Sequence, residues 1–249
     1  METLAGKQAL VTGAAVRVGR AIAWRLAEAG ADLAVHCRSH VDEAEDLCGR
    51  VEALGRRTLL LRGDLRDQGT IRAMFDQVAT AWGGLDVLVN SASVFHRTPL
   101  DAVTDEDWAL HLDVNLTAPW RCVQAALPLL RGRGGRIVNL VDLSALAPWP
   151  SYIPHSVSKA GLLAMTRGLA RALAREGIAV NAVAPGAVLF PDDASEEERA
   201  RVLASVPAGR AGTPNDVAEA VLYLCGASPF VTGTLITVDG GQSLRCSRS

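Results

Sequence analysis

The sequence predicts an α/β fold, a single domain built on a doubly wound, parallel, seven-stranded sheet with helices on both faces. Three observations predict it. Short apolar runs alternate with longer helical patterns along the whole chain. Most of those runs are continuously apolar, as expected of strands covered on both faces. No linker, repeat or low-complexity stretch interrupts the 249 residues, so one domain over 1–249 is the simplest division.

The strands, in order, are "KQALVTG", "ADLAVHC", "RTLLLRGD", "LDVLVNSA", "GRIVNLVD", "IAVNAVAPG" and "TLITVDGG". Helical stretches such as "VGRAIAWRLAEAG" and "TIRAMFDQVATAW" lie between them. Repeated βα units join parallel strands by right-handed crossovers. Two helix starts carry their own signals. Thr213, Pro214 and Asp216 supply an N-cap, a first-turn proline and a first-turn acid. Ser195 followed by Glu198 is a capping box. The polar, proline-interrupted "GAVLFPDDASEEERA" predicts a surface loop running into a short helix, a candidate substrate lid over 186–206.

Composition excludes several classes. Apolar residues make up 49%, which marks a folded globular chain. The 25 basic against 27 acidic residues leave no basic excess for nucleic acid or an acidic membrane surface. "METLAGKQALVTG" has neither a signal-peptide pattern nor a spanning run, which predicts a cytoplasmic protein. Five cysteines at 37, 48, 122, 225 and 246 form no CxxC pair and have no histidine at zinc spacing. They read as reduced thiols, and no metal site is expected. Cys37 reads as a small buried hydrophobe, with a place beside a bound cofactor as the alternative.

"ALVTGAAVRVGRAIA" runs from the first strand into a helix. Gly13 ends the strand and Gly19 opens the helix. Glycines there allow a tight turn and a close approach of a pyrophosphate to the helix N-terminus. After the first strand of a βα series, this is a strong dinucleotide signal.

At these residues the chain resembles the short-chain dehydrogenase/reductases, a Rossmann-type family, over nearly its whole length. The family's TGxxxGxG loop appears as "TGAAVRVG", with Arg17 in place of the middle glycine. Its NNAG appears as "NSAS" at 90–93. Asn115 stands in "DVNLTAP", Lys159 holds the lysine of YxxxK, and "VNAVAPG" and "VTGTLITVDGG" follow in order. Arg17, "VLVNSASVFHRTPL", Asp142 in "NLVD" and the "SLR" ending resemble the pteridine reductase branch.

The second strand ends "HCRSH", with His36, Arg38, Ser39 and His40 but no carboxylate before Asp42. An acid there would bind NAD ribose and repel a 2′-phosphate. Two arginines, Arg17 and Arg38, with the Ser39 hydroxyl suit that phosphate, so NADPH/NADP+ is the expected cofactor. Arg38 alone also fits an ordinary exposed arginine. The resemblance adds Val18 in the glycine loop, Asp64 and Leu65 near the adenine, and Asn90, Ala92 and Ser93 along the cofactor. It places Pro185, Gly186 and Val188 beside the nicotinamide and Lys159 on its ribose.

On the substrate side the resemblance implies a pterin ring stacked on Phe95, with Ser93 and Arg17 at its edge and Leu189 and Phe190 closing over it. From the residues alone, Phe95 fits a core position equally well. Trp149 and Tyr152 are given no role. The family pattern also implies a homotetramer, with Arg245 near the chain end reaching a neighbour's site or standing free.

"IPHSVSKAG" puts His155 one helical turn before Lys159. It holds the position of the family's proton-donating tyrosine, with Asn115 and Lys159 in their usual places. Asp142, thirteen residues earlier, holds the position of the family's serine. A free tyrosine titrates near about 10 and a free histidine near about 6.5. A lysine cation favours the neutral histidine, whereas the Asp142 carboxylate favours the imidazolium. The expectation is an active reductase in which Asp142 and His155 share the proton role. The alternatives are that Asp142 and water carry the proton while His155 orients, or that activity is lost. The first functional reading is therefore reduction of a pterin C=N bond, of dihydropterin, biopterin or dihydrofolate type. A carbonyl reductase of a 3-oxoacyl or other ketone is the alternative, and a non-catalytic NADP(H)- or pterin-binding protein is the rival from another class.

Overall fold

The computed structural model describes residues 4–190 and 195–244. Its strands are β1 (Gln8–Val11), β2 (Asp32–Cys37), β3 (Thr58–Arg62), β4 (Val87–Asn90), β5 (Arg136–Leu140), β6 (Ala179–Pro185) and β7 (Leu235–Val238). Each falls inside the run expected for it. All pair in parallel, in the order β3-β2-β1-β4-β5-β6-β7.

The helices are α1 (Arg17–Glu28), α2 (Val41–Ala53), α3 (Gln68–Trp82), α4 (Asp105–Leu112), α5 (Ala118–Leu130), α6 (Ile153–Leu173), α7 (Glu196–Ala204) and α8 (Pro214–Gly226). Successive strand side chains point to opposite faces, so a continuous apolar run feeds two cores at once. Ala9, Val11, Leu33 and Val35 pack with α1, α2 and α8. Leu10, Ala34, Leu88 and Ile137 pack with α3, α5 and the end of α6. The capping boxes at Ser195 and Thr213 form as expected. The loop after β6 does lead into a short helix, α7. The rest of the proposed lid, at 191–194, lies outside the described residues, as do Arg245 and Cys246.

Chain order positions the site. From β1 the chain builds outward to β3 and then returns to start β4 on the other side of β1. The loops after β1 and β4 therefore part, and a crevice opens at the carboxyl ends of these strands.

At the opposite end of the sheet, Asp86 ties three segments together. Its carboxylate accepts from the Gln8 backbone N–H at 3.0 Å, Lys7 at 3.2 Å and Arg133 at 3.0 Å. Burial works against its charge, yet the bonds from Arg133, Gln8 and Lys7 hold its carboxyl below the usual range. A depressed carboxyl contributes stability that is whole above about pH 3.9, the unfolded value, and is lost as pH falls through the folded one. Asp86→Asn is expected to cost about 1–3 kcal/mol at neutral pH. The gap to wild type should narrow in urea melts taken below about pH 4.

Cys37, Cys48, Cys122 and Cys225 are all buried and unpaired. Burial pushes the Cys122 and Cys225 thiols up to about 12, which makes them inert. Among the described residues, no cluster could hold a metal ion and no helix is long and apolar enough to cross a membrane.

Candidate active site

The loop from β1 to α1 is shaped by close approach. A Cβ on Gly19 would stand 2.1 Å from the Gly13 carbonyl oxygen, and one on Gly13 would stand 2.8 Å from Ala92 Cα. Arg17 keeps a left-handed backbone, φ +55°, that glycine adopts without strain. No side chain caps the start of α1, and no acid stands in its first turn. An open helix N-terminus with no acid in its own first turn suits a phosphate.

A cleft of about 360 Å³ follows this loop. Arg17, Arg38, Ser39 and His40 line one end, Gly13, Val18 and Gly19 the middle, and Ala92, Ser93 and Phe95 the other end. Asp64 and Leu65 flank the first part. The expected dinucleotide residues from the loops after β1, β2 and β3, with Ala92 and Ser93 after β4, are thus gathered by the crevice, and their donors and charge fit NADPH. Cys37 lies at the cleft wall, 2% exposed, so both readings of it hold together.

Two expected cofactor residues have other work. His36 is buried, with Nδ1 accepting from Gly13 N–H at 3.2 Å and Nε2–H donating to the Gly63 carbonyl at 3.1 Å. Burial pushes its pKa down despite the Gly63 bond, so the ring stays neutral and holds the phosphate loop in place. Asn90 turns inward. Its Nδ2 donates to Asn139, whose own amide donates to Thr166, and these bonds tie β4 to β5 and α6. His36 lines the cleft with neither ring nitrogen left to a ligand, whereas Asn90 does not line it. Asp64 is gripped by the Arg66 guanidinium at 2.6 Å, which holds its carboxyl low.

The proton site is built by β5, α6 and a π-type turn over Asp113–Thr117. Such widened turns often mark functional positions. This one carries Asn115 inward, where Oδ1 accepts from Val94 N–H at 2.9 Å. Its Nδ2 reaches the Val94 carbonyl at 3.1 Å, Ser158 Oγ at 3.1 Å and His155 Nδ1 at 3.3 Å. His155 is 1% exposed, which excludes a surface role. Its Nε2 lies 2.5 Å from Asp142 Oδ2. Asp142 Oδ1 in turn accepts from the Ser144 N–H and hydroxyl.

His155 Nδ1 also lies 3.1 Å from the Val94 carbonyl. It therefore faces an acceptor and a donor at nearly the same distance. With a hydrogen on Nδ1 the ring donates to Val94, and the Nε2–H tautomer accepts from Asn115. Burial opposes charge on Asp142, but the His155 bond and the Lys159 charge hold its carboxyl below the usual range. Lys159 is buried and donates to the Leu140 carbonyl at 2.8 Å. Burial pushes its pKa down, and the Asp142 charge works the other way.

Phe95 closes the end of the cleft. It is 42% exposed, so the core alternative does not hold. Its ring stacks on Tyr152 at 4.7 Å and meets His155 edge to face at 4.8 Å. Tyr152 caps α6 from outside the helix, as expected, but with Trp149 it completes an aromatic wall that sequence reasoning left without a role. Leu189 is 40% exposed, whereas Phe190 sits under the Arg199 guanidinium of α7, 5.7 Å away. Pro185, Gly186 and Val188 do not line the cleft. Gly186 packs against Asp239, and Val188 is buried.

Sequence reasoning missed Ser144, Ser158, the Val94 carbonyl, Arg66 and His111. Ser144 had a signal, since Asp-x-Ser is a local turn pattern. His111 stands four residues before Asn115, hence on the same side of a helix. The Val94 carbonyl is a backbone group and leaves no mark in a sequence.

A glycine loop at the switch point of a parallel sheet, beside an Asn–Asp–His–Lys cluster, defines a dinucleotide-dependent oxidoreductase. The chain belongs to the short-chain dehydrogenase/reductase superfamily. A family model described as "Enoyl-(Acyl carrier protein) reductase" matches residues 13–243. The chain is 35% identical to the 3-oxoacyl-[acyl-carrier-protein] reductase FabG of Staphylococcus aureus, over 95% of this chain and 98% of that one. It is 34% identical to 3beta-hydroxysteroid dehydrogenase 1 of Eggerthella lenta, over 98% and 96%. A short chain dehydrogenase from Burkholderia cenocepacia, solved in complex with NADP, superposes with a TM-score of 0.91 at 38% identity, over 96% and 99%. The two named enzymes are not pterin reductases, and they favour the carbonyl alternative over the pterin reading.

Proposed function

We propose that this protein is an NADPH-dependent reductase of a ketone. The observation that carries the proposal is full-length similarity to a 3-oxoacyl reductase and a hydroxysteroid dehydrogenase, with the Asp142–His155 pair beside Lys159 as the proton source. NADPH, when bound, supplies the hydride. The Arg17 and Arg38 guanidiniums and Ser39 hold its 2′-phosphate, the start of α1 its pyrophosphate, and Lys159 its ribose.

The chain's own chemical task is the proton. The His155 imidazolium gives its Nε2–H, shared with Asp142 Oδ2, to the oxygen that becomes negative, and keeps its Nδ1–H on the Val94 carbonyl. Asp142, the more exposed partner at 17% against 2%, is the entry for the replacing proton and passes it back to Nε2. A positioned acid of this kind contributes about 10²- to 10⁴-fold.

A pterin substrate remains the second reading, favoured by one observation. The exposed Phe95 ring at the end of the cleft suits a flat heterocycle. A homotetramer is part of the proposal, supported by Trp108, Trp120 and Val157, which stand exposed on α4, α5 and α6.

The test mixes purified protein and NADPH with a 3-oxoacyl thioester, a steroid ketone, an aryl ketone and dihydrobiopterin, and follows loss of NADPH absorbance. Turnover of a ketone, with NADPH preferred over NADH, is expected. Turnover of the pterin alone promotes the second reading, and binding of NADPH with no turnover overturns both.

A further inference from the structure

Phe95 is held from both sides. On one side, Asn115 pairs with both the N–H and the carbonyl of Val94. On the other, the His96 N–H points at Nε2 of His111, 3.5 Å away. Both holders stand on α4 and the turn that continues it. His111 is fully buried. Its Nδ1–H donates to the Asp107 carbonyl at 2.8 Å, which leaves Nε2 as a lone-pair acceptor. The His111 ring meets His96 at 5.8 Å and His155 at 6.0 Å, nearly perpendicular to each. The proton steps above use neither His96 nor His111.

We propose that His111 is a positioning residue: its neutral Nε2 accepts the His96 N–H and so sets the pose of Phe95 over His155, and with it the fit of the substrate. The kinetic part of this inference rests on the proposed reductase reading, and the structural part does not. Three titratable groups face His111. They are His155 from α6, His96 from the loop after β4, and Asp107 from its own helix, whose carboxylate is committed to the Thr104 cap. Burial pushes the ring's pKa down, His155 and His96 push the same way, and the Asp107 carbonyl and charge push back. Once acid protonates the ring, Nε2–H faces the His96 N–H. Two donors then oppose each other and the turn that carries Phe95 is released.

The test pairs NMR with kinetics. In protein labelled with ¹⁵N-histidine and followed from about pH 8 to about pH 5, His111 should be the neutral Nδ1–H tautomer, and the His96 amide should move with the His111 midpoint. In His111→Gln, whose amide oxygen still accepts, the His96 amide should lose the component that follows the His111 midpoint. With the ketone that turns over best, His111→Phe should raise KM about three- to tenfold with kcat within about twofold. His111→Gln should restore KM and abolish its rise on the acid side. An Nε2–H tautomer, or a His96 amide indifferent to the His111 titration, overturns the proposal, as does an unchanged KM in His111→Phe. If the phenylalanine variant does not fold, the glutamine variant's KM profile decides. A coupled His96 amide in a protein that turns over no ketone supports the clamp and overturns the reductase reading instead.

Discussion

Replacing His155 with phenylalanine should lower kcat by about 10²- to 10⁴-fold and leave the NADPH dissociation constant within about twofold. The phenyl ring fills the same buried space but has no proton to give, and it lies apart from the phosphate end of the cleft. Any alkaline limb that this proton gives the wild-type rate should vanish in the variant. A further control follows from the neighbours. Asp142→Ser combined with His155→Tyr recreates the family's usual pair, and a free tyrosine keeps its proton to about 10 rather than about 6.5. The double variant should recover turnover with its alkaline limb moved upward. His155→Phe alone also strands the Asp142 carboxylate, still bonded to Ser144 but without its imidazole. Loss of a buried partner costs about 3–5 kcal/mol, so melts should be run beside the kinetics. A pH profile with one tyrosine-like limb, unchanged in His155→Phe, would show that the histidine only fills space.

Arg17→Gly should move stability and cofactor binding in opposite directions. The arginine holds a left-handed backbone at the start of α1, φ +55°, which costs about 1–2 kcal/mol in a residue with a Cβ. Glycine relieves that strain, less the backbone freedom it restores to the unfolded chain. A net gain of about 1 kcal/mol in a urea melt is expected. The same change removes a charged donor from the phosphate end of the cleft. NADPH affinity should drop about 10- to 100-fold, as expected for a lost charge-assisted bond, while NADH affinity changes little. Arg38→Ala should repeat the binding loss without the gain in stability, because Arg38 carries no positive φ. An unchanged NADPH affinity in Arg17→Gly would assign the 2′-phosphate to Arg38 and Ser39 alone.

The strands were legible because each is a short run of neighbouring residues whose burial on both faces shows directly as unbroken apolar character. The helix starts at Ser195 and Thr213 were legible for a similar reason, since cap and acid lie within one turn. The glycine loop could be read because Gly13 and Gly19 answer to local sterics. Phe95 could not be assigned from its neighbours. Its exposure depends on Tyr152 and Trp149, more than fifty residues away, coming to stand beside it. His36 and Asn90 were read as cofactor contacts from their positions. Their hydrogen bonds to Gly63 and Asn139 turn them into supports, and such partners come from other strands. The substrate was the least legible part. Asp142, Phe95 and Arg17 pointed to a flat heterocycle, while full-length similarity to FabG and a steroid dehydrogenase moves the weight to a ketone.

The sequence by itself determined the doubly wound sheet, the nucleotide crevice at its switch point and the exchange of tyrosine for histidine, because strand burial, turn sterics and motif spacing are properties of adjacent residues. Only the tertiary structure decided what that histidine touches. Asp142, the Val94 carbonyl, and Asn115 with the ring edge of His111 come from three separate segments, and packing alone brings them within reach of one imidazole.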